Sequence, residues 1–157
     1  MYFKRKELEK FRSYKGPLID VRSPGEYYKG HMPNSINIPL FDNDERSIIG
    51  TIYKNQGREK AVIEGLKFLE KKMELLLDNL FMSIDSYKTI TEKNNNELFI
   101  RIYCSRGGMR SQSIAWLLEK FNLNFSSNQA ILCDRIPPLE QYILISNSLL
   151  FFLVIVL

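Results

Sequence analysis

The most constraining stretch of this chain is an apolar run that ends in a cysteine and a glycine turn. Leu98-Phe-Ile-Arg-Ile-Tyr103 reads as a buried strand, being short, apolar and partly β-branched. Cys104-Ser-Arg-Gly-Gly-Met-Arg110 follows as a tight loop. Ser111 to Phe121 then reads as a helix with Ile114, Leu117, Leu118 and Phe121 on one face. In open α/β sheets ligands bind beyond the C-terminal ends of strands, which puts Cys104 where such a fold does chemistry. Gly107 and Gly108 let the backbone turn sharply, so successive N–H groups point inward at one spot. A helix N-terminus behind such a nest favours an anion, a thiolate included. Arg106 and Arg110 add positive charge and can fork onto an oxyanion. The expected site is Cys104 as nucleophile, cradled with its anion by Ser105, Arg106, Gly107, Gly108, Met109 and Arg110. The plainer alternative is a buried strand-end cysteine beside an ordinary glycine turn.

The rest of the chain supplies the frame. Residues 5–13 read as a short polar helix, and Pro17-Leu-Ile-Asp-Val21 as a strand. Ser23-Pro24 looks like an N-cap with proline at the first helical position, and that helix stops at Gly30. Ser35-Ile-Asn-Ile38 alternates as a second short strand. Asp42-Asn-Asp-Glu-Arg46 places acids at the start of a helix that runs to about Asn55, with Gly57 marking its end. From Arg58 to about Ile84 the spacing predicts one helix, with Val62, Leu66, Leu69, Met73, Leu76, Leu77 and Leu80 on its apolar face. Ser86 to Asn96 is polar and reads as a loop. Strands alternating with helices predict an α/β fold: a parallel sheet with helices on both faces.

Composition narrows the class. A chain of 157 residues with 45% hydrophobic and 25% charged residues fits one globular domain and excludes disordered and collagen-like classes. Two cysteines, Cys104 and Cys133, make no disulfide framework and fit a reducing, cytoplasmic setting. The lone His31 leaves no Cys–His set for zinc, so no metal is expected. The N-terminus is charged and carries no apolar core of a signal peptide.

Two chemistries suit the loop. Cys104, Gly107, Arg110 and Ser111 resemble the phosphate loop of cysteine-dependent phosphatases, except that Tyr103 stands where those enzymes usually have histidine. The other chemistry is sulfur-group transfer, with the thiolate carrying a persulfide. The N-terminal half favours the second. Asp20-Val-Arg22, Pro24, Glu26-Tyr27, Gly30-His-Met-Pro33 and Ser35-Ile-Asn-Ile-Pro39 together resemble the signature of rhodanese-like domains. Asn43-Asp-Glu-Arg46, Gly50-Thr51, Tyr53-Lys54, Gly57, Ala61 and Gly65, with Tyr103-Cys104, Arg106-Gly-Gly108 and Arg110-Ser-Gln112, look like the rhodanese domain of the tRNA 2-selenouridine synthases.

That resemblance covers about residues 16–121 and implies the following. Cys104 carries a chalcogen used to replace the sulfur of a wobble 2-thiouridine in tRNA by selenium. Selenophosphate or a thiosulfate-like sulfane donor is the co-substrate, no other cofactor is needed, and tRNA is the partner. The rival readings are a cysteine phosphatase and an inactive rhodanese-fold binding module. Asp20 and Arg22 are expected to brace loops through a salt bridge. His31 is expected to be a structural hydrogen-bonder, and Glu26 and Tyr27 to serve packing and capping. Lys67, Lys71 and Lys72 either meet tRNA phosphates or form a solvated helix face.

The resemblance leads one to expect a Leu-x-Gly-Gly-Tyr-like stretch after the loop helix and then a P-loop domain, and neither string is present. Residues 1–122 hold 21 Lys+Arg against 16 Asp+Glu, whereas 123–157 hold only Arg135, Asp134 and Glu140 and end in the apolar run Leu149–Leu157. We therefore divide the chain into a rhodanese-like domain, 1–122, incomplete at its C-terminal side, and an apolar tail, 123–157. The abrupt change near Asn122–Ser126 is the pattern a reading-frame slip leaves. An unusual core strand and helix, or a membrane anchor, are the alternatives, although Ile143–Leu157 is shorter than the ~20 residues a span needs.

Overall fold

A computed structural model describes residues 13–92, 98–105, 109–120, 129–135 and 142–144. Its elements are β1 (Leu18–Asp20), α1 (Pro24–Tyr28), β2 (Ile36–Asn37), α2 (Asn43–Gln56), α3 (Arg58–Glu70), α4 (Met73–Glu92), β3 (Leu98–Cys104), α5 (Met109–Lys120), β4 (Gln129–Arg135) and β5 (Tyr142–Leu144). The sheet order is β2-β1-β3-β4-β5, parallel throughout except that β5 runs antiparallel to β4. The expected α/β class is the observed one. The polar helix expected at 5–13 falls almost wholly outside the described residues, as does Phe121.

The local signals act as their chemistry predicts. The Ser23 amide donates to Glu26 at 3.1 Å, closing the first turn of α1 behind Pro24. Asp42 caps α2 by accepting from the Glu45 amide at 2.8 Å, and the Asp42 amide donates back to the Glu45 carboxylate at 2.9 Å. Gly57, at φ 91°, turns the chain from α2 into α3. Gly16 is required by space as well as by its φ of 135°: a Cβ there would stand 2.2 Å from the Phe99 carbonyl oxygen. That close approach lets Lys15 and Pro17 accept from the amides of Phe99 and Arg101, extending the pairing of β1 with β3.

Two expectations need correcting. The single helix read over 58–84 is two helices, α3 and α4, separated at Lys71–Lys72. No glycine or proline marks the break, and Leu69 and Leu76 are buried on either side of it, so the periodicity reads straight through. What the turn accomplishes is long-range: Lys72 ion-pairs with Glu45 in α2 and lies over the Phe41 ring, 5.6 Å from its centroid. The buried stripe of α3 is Ala61, Gly65 and Leu69, while Leu66, counted on the apolar face, is 57% exposed. The loop read from Ser86 is also wrong in its first half, because α4 continues to Glu92. Polar residues alone do not stop a helix, and none of 86–92 is glycine or proline.

The core lies on one face of the sheet. Ile19 and Val21 of the β1 segment and Ile100, Ile102 and Cys104 of β3 point to it. Leu76, Leu80 and Ile84 of α4, and Ile114, Ala115 and Leu118 of α5, cover them. On the opposite face Leu18 and Tyr103 pack with Met32, flanked by Tyr14 and Phe99. The segment set apart as an apolar tail contributes two strands. Residues of β4 run beside β3 in parallel register from Leu98↔Gln129 to Cys104↔Arg135, with Cys133 opposite Ile102. β3 is thus paired on both sides, by β1 and by β4. No described helix is long and apolar enough to cross a membrane.

Candidate active site

Cys104 ends β3 and is 1% exposed. Its Sγ donates to the Ser105 carbonyl oxygen at 3.2 Å and lies 3.2 Å from the Ser111 hydroxyl, which is fully buried. Ser111 sits in the first turn of α5, where the free backbone amides of a helix N-terminus gather. Strand end, thiol and helix start therefore meet at one point, as the sequence predicted. Of the expected cradle, Ser105, Met109 and Arg110 are described, with Met109 opening α5; Arg106, Gly107 and Gly108 lie outside the described residues.

The side chain of Arg110 is already engaged. Its guanidinium forks onto the Glu26 carboxylate at 2.7 and 3.2 Å and also donates to the Ser105 hydroxyl. Ser105 Oγ in turn donates to Glu26 at 3.2 Å, and Arg46 of α2 approaches the same carboxylate at 3.7 Å. Burial alone would push the Glu26 carboxyl up. The hydrogen bonds and charge of Arg110, with the Ser23 amide and Arg46, outweigh it and bring the group from its ordinary 4.5 down to about 2. Capping and packing, the roles expected for Glu26, are thus half of what it does. No local pattern signals the other half, because the Arg110 contact spans 84 positions.

Behind the loop stands a buried brace. Arg22 binds the Asp20 carboxylate through its amide, Nε and Nη2, the last at 2.7 Å, and donates to the Gly30 carbonyl at 2.7 Å. Asn37 Nδ2 donates to the carbonyls of Asp20 and Arg22 at 3.0 Å. This is the salt bridge the sequence suggested. Tyr103 faces away from the core: its hydroxyl donates to Ser35 Oγ at 2.9 Å and accepts from the Met32 amide at 3.2 Å. Burial pushes its phenol up to about 12. His31 stacks on Tyr27 at 3.8 Å between ring centroids and hydrogen-bonds the Tyr27 carbonyl through Nδ1 at 3.0 Å. Of the lysines, Lys67 pairs with Glu64 at 2.9 Å and Lys72 with Glu45; Lys67 and Lys71 are exposed and Lys72 is half-buried. Among the described residues no group of three or more His, Cys, Asp or Glu is placed to hold a metal ion.

A thiol at the C-terminal end of a central parallel strand, against the first turn of the following helix, is the arrangement of a rhodanese-like domain. Residues 4–132 match that family, and the chain belongs to it. Among curated relatives, the tRNA 2-selenouridine synthase of Bdellovibrio bacteriovorus is 38% identical over 104 residues, 66% of this chain and 25% of that protein. Those of Proteus mirabilis (38% over 104 residues, 66% of this chain and 26% of the relative) and Nitrosomonas eutropha (39% over 106 residues, 66% and 24%) are similar. The chain thus spans about a quarter of the length of these relatives. A crystal structure of the N-terminal domain of a protein described as ATP/GTP binding, from Clostridium difficile 630, superposes with a TM-score of 0.58 at 34% identity. It covers 83% of this chain and 89% of that one.

Proposed function

We propose that this domain is the sulfur/selenium transferase unit of a tRNA 2-selenouridine synthase-like protein, with Cys104 as the atom carrier. The observation behind the proposal is the position of Cys104, at the end of β3 and 3.2 Å from the Ser111 hydroxyl on α5, in a rhodanese-like chain. The Cys104 thiolate attacks the sulfane sulfur of a donor such as thiosulfate. The Sγ–S bond forms, the donor's S–S bond breaks, and sulfite leaves with the electron pair, giving a cysteine persulfide. The backbone of residues 105–110 is the proposed cradle for the anionic donor, whether sulfane sulfur or selenophosphate. The relatives' name supplies the proposed acceptor, a tRNA whose 2-thiouridine exchanges sulfur for selenium in the cytoplasm. Because the chain spans a quarter of those relatives' length, we assign it the carrier step and not the whole exchange.

The test is mass spectrometry of the purified chain after incubation with thiosulfate. A gain of one sulfur atom on Cys104, removed by reductant and absent in Cys104→Ser, is expected. A folded protein that never gains it would end the transferase reading. Hydrolysis of an aryl phosphate that disappears in Cys104→Ser would replace it with the phosphatase.

A further inference from the structure

Glu26 makes more contacts with the cysteine loop than any capping role needs. Its first oxygen accepts from the Ser105 hydroxyl at 3.2 Å and from Arg110 Nη2 at 3.2 Å; its second accepts from Arg110 Nη1 at 2.7 Å and from the Ser23 amide at 3.1 Å. Ser105 follows the nucleophile directly, and Arg110 closes the loop at the second residue of α5. One carboxylate on α1 therefore holds both ends of the loop. α1 is itself fixed from outside: the Gly25 amide donates to Asn43 Oδ1 at 2.7 Å, and Arg46 lies 3.7 Å from Glu26, both from α2. The Arg110–Glu26 pair is mostly buried, with side chains 17% and 20% exposed. A bidentate guanidinium–carboxylate pair so shielded holds its geometry better than an exposed pair.

We propose that Glu26 is a positioning residue: with Arg110 and Ser105 it forms a clasp that holds the two ends of the Cys104 loop, and Arg110 serves that clasp instead of binding the incoming anion. Both terminal nitrogens of Arg110, Nη1 and Nη2, donate to Glu26, so an anionic donor meets a guanidinium whose charge is already paired. Anion binding is then left to the loop's backbone and its remaining residues. The carboxylate stays ionised throughout the neutral range, so the clasp does not open with ordinary changes of pH.

Glu26→Gln, Arg110→Gln and the double variant test this, each first shown to unfold cooperatively. Arg110→Lys, which keeps the charge and loses the fork, is the fourth variant and stands in if Arg110→Gln does not fold. The first readout needs no transfer activity: the rate at which iodoacetamide alkylates Cys104, which is 1% exposed in the native loop. Each single variant, Arg110→Lys included, is expected to raise that rate about tenfold, and the double variant no further, since the two residues act as one unit. An unchanged rate in Glu26→Gln, or effects that multiply in the double variant, overturns the clasp. The second readout rests on the proposed transferase reading. In Arg110→Gln, kcat for thiosulfate should fall while KM stays within about twofold. A KM raised about tenfold or more at unchanged kcat makes Arg110 the anion ligand and overturns the proposal. If the native chain accepts no sulfur, the transferase reading fails, and the alkylation rates still decide the clasp.

Discussion

The Ser111 hydroxyl lies 3.2 Å from the Cys104 sulfur, and both residues are buried. A serine there can give a hydrogen bond to the sulfur when it is a thiolate and accept one when it is a thiol. It can thereby serve both ends of the proposed transfer, in which the sulfur gains and loses charge. Ser111→Ala removes that partner while keeping helix α5. Because a hydrogen bond to a charged group contributes about 1.5–3 kcal/mol, persulfide formation on Cys104 should slow by about ten- to a hundredfold. Time-resolved mass spectrometry with thiosulfate checks this, and an unchanged rate would remove Ser111 from the chemistry.

The Asp20–Arg22 pair predicts a large stability effect. Arg22→Ala leaves the Asp20 carboxylate fully buried without its cation, a loss of about 3–5 kcal/mol. Urea unfolding measures it, and a loss under about 1 kcal/mol would show that Asn37 and the backbone suffice for the brace.

Glu26 sets the acid limb of the stability curve. Its carboxyl is held at about 2 in the folded chain against an ordinary 4.5. A depressed carboxyl stabilises the fold above its unfolded value, and that contribution is lost as pH falls from about 4.5 toward 2. Between those values the stability of Glu26→Gln should therefore depend less steeply on pH than that of the native chain. Parallel slopes would mean that the Arg110 contact does not persist in solution.

Tyr103 sets the opposite limb. Its phenol is raised to about 12 from 10.0, so its contribution is fully present below 10 and is lost as pH rises toward 12. Tyr103→Phe should abolish that alkaline loss. At neutral pH it should cost about 1–3 kcal/mol, because the Met32 amide loses its acceptor in a buried place. Thermal unfolding across the alkaline range separates the two effects.

Gly16→Ala should unfold the chain at lower denaturant than any exposed substitution. The strained φ alone costs about 1–3 kcal/mol, and the added Cβ meets the Phe99 carbonyl at 2.2 Å. An alanine variant of native stability would show that the Gly16–Phe99 approach relaxes at no cost.

Much of the frame was legible because its signals are local. Ser23-Pro24, Asp42 with Glu45, and Gly57 each act within one turn, and the apolar strand before Cys104 announces both its burial and its direction. The thiol's meeting with a helix start followed from the order of strand, glycine loop and amphipathic face. What was not legible depends on distant partners. The α3–α4 break answers to Glu45 and Phe41, the second role of Glu26 answers to Arg110, and β4 is a strand because β3 offers it a paired edge. Low charge after residue 122 says nothing about that edge.

The order β2-β1-β3-β4-β5 has a consequence for how the chain is made. The strand that ends in Cys104 is also the one that both β1 and β4 pair with, and it is translated after α1 to α4. Until Leu98–Cys104 leaves the ribosome, β1 has only β2 beside it, and the apolar side of α4 lacks the strand it covers in the finished fold. The nascent chain therefore waits, exposed to chaperones and proteases, for the same segment that ends in the buried thiol.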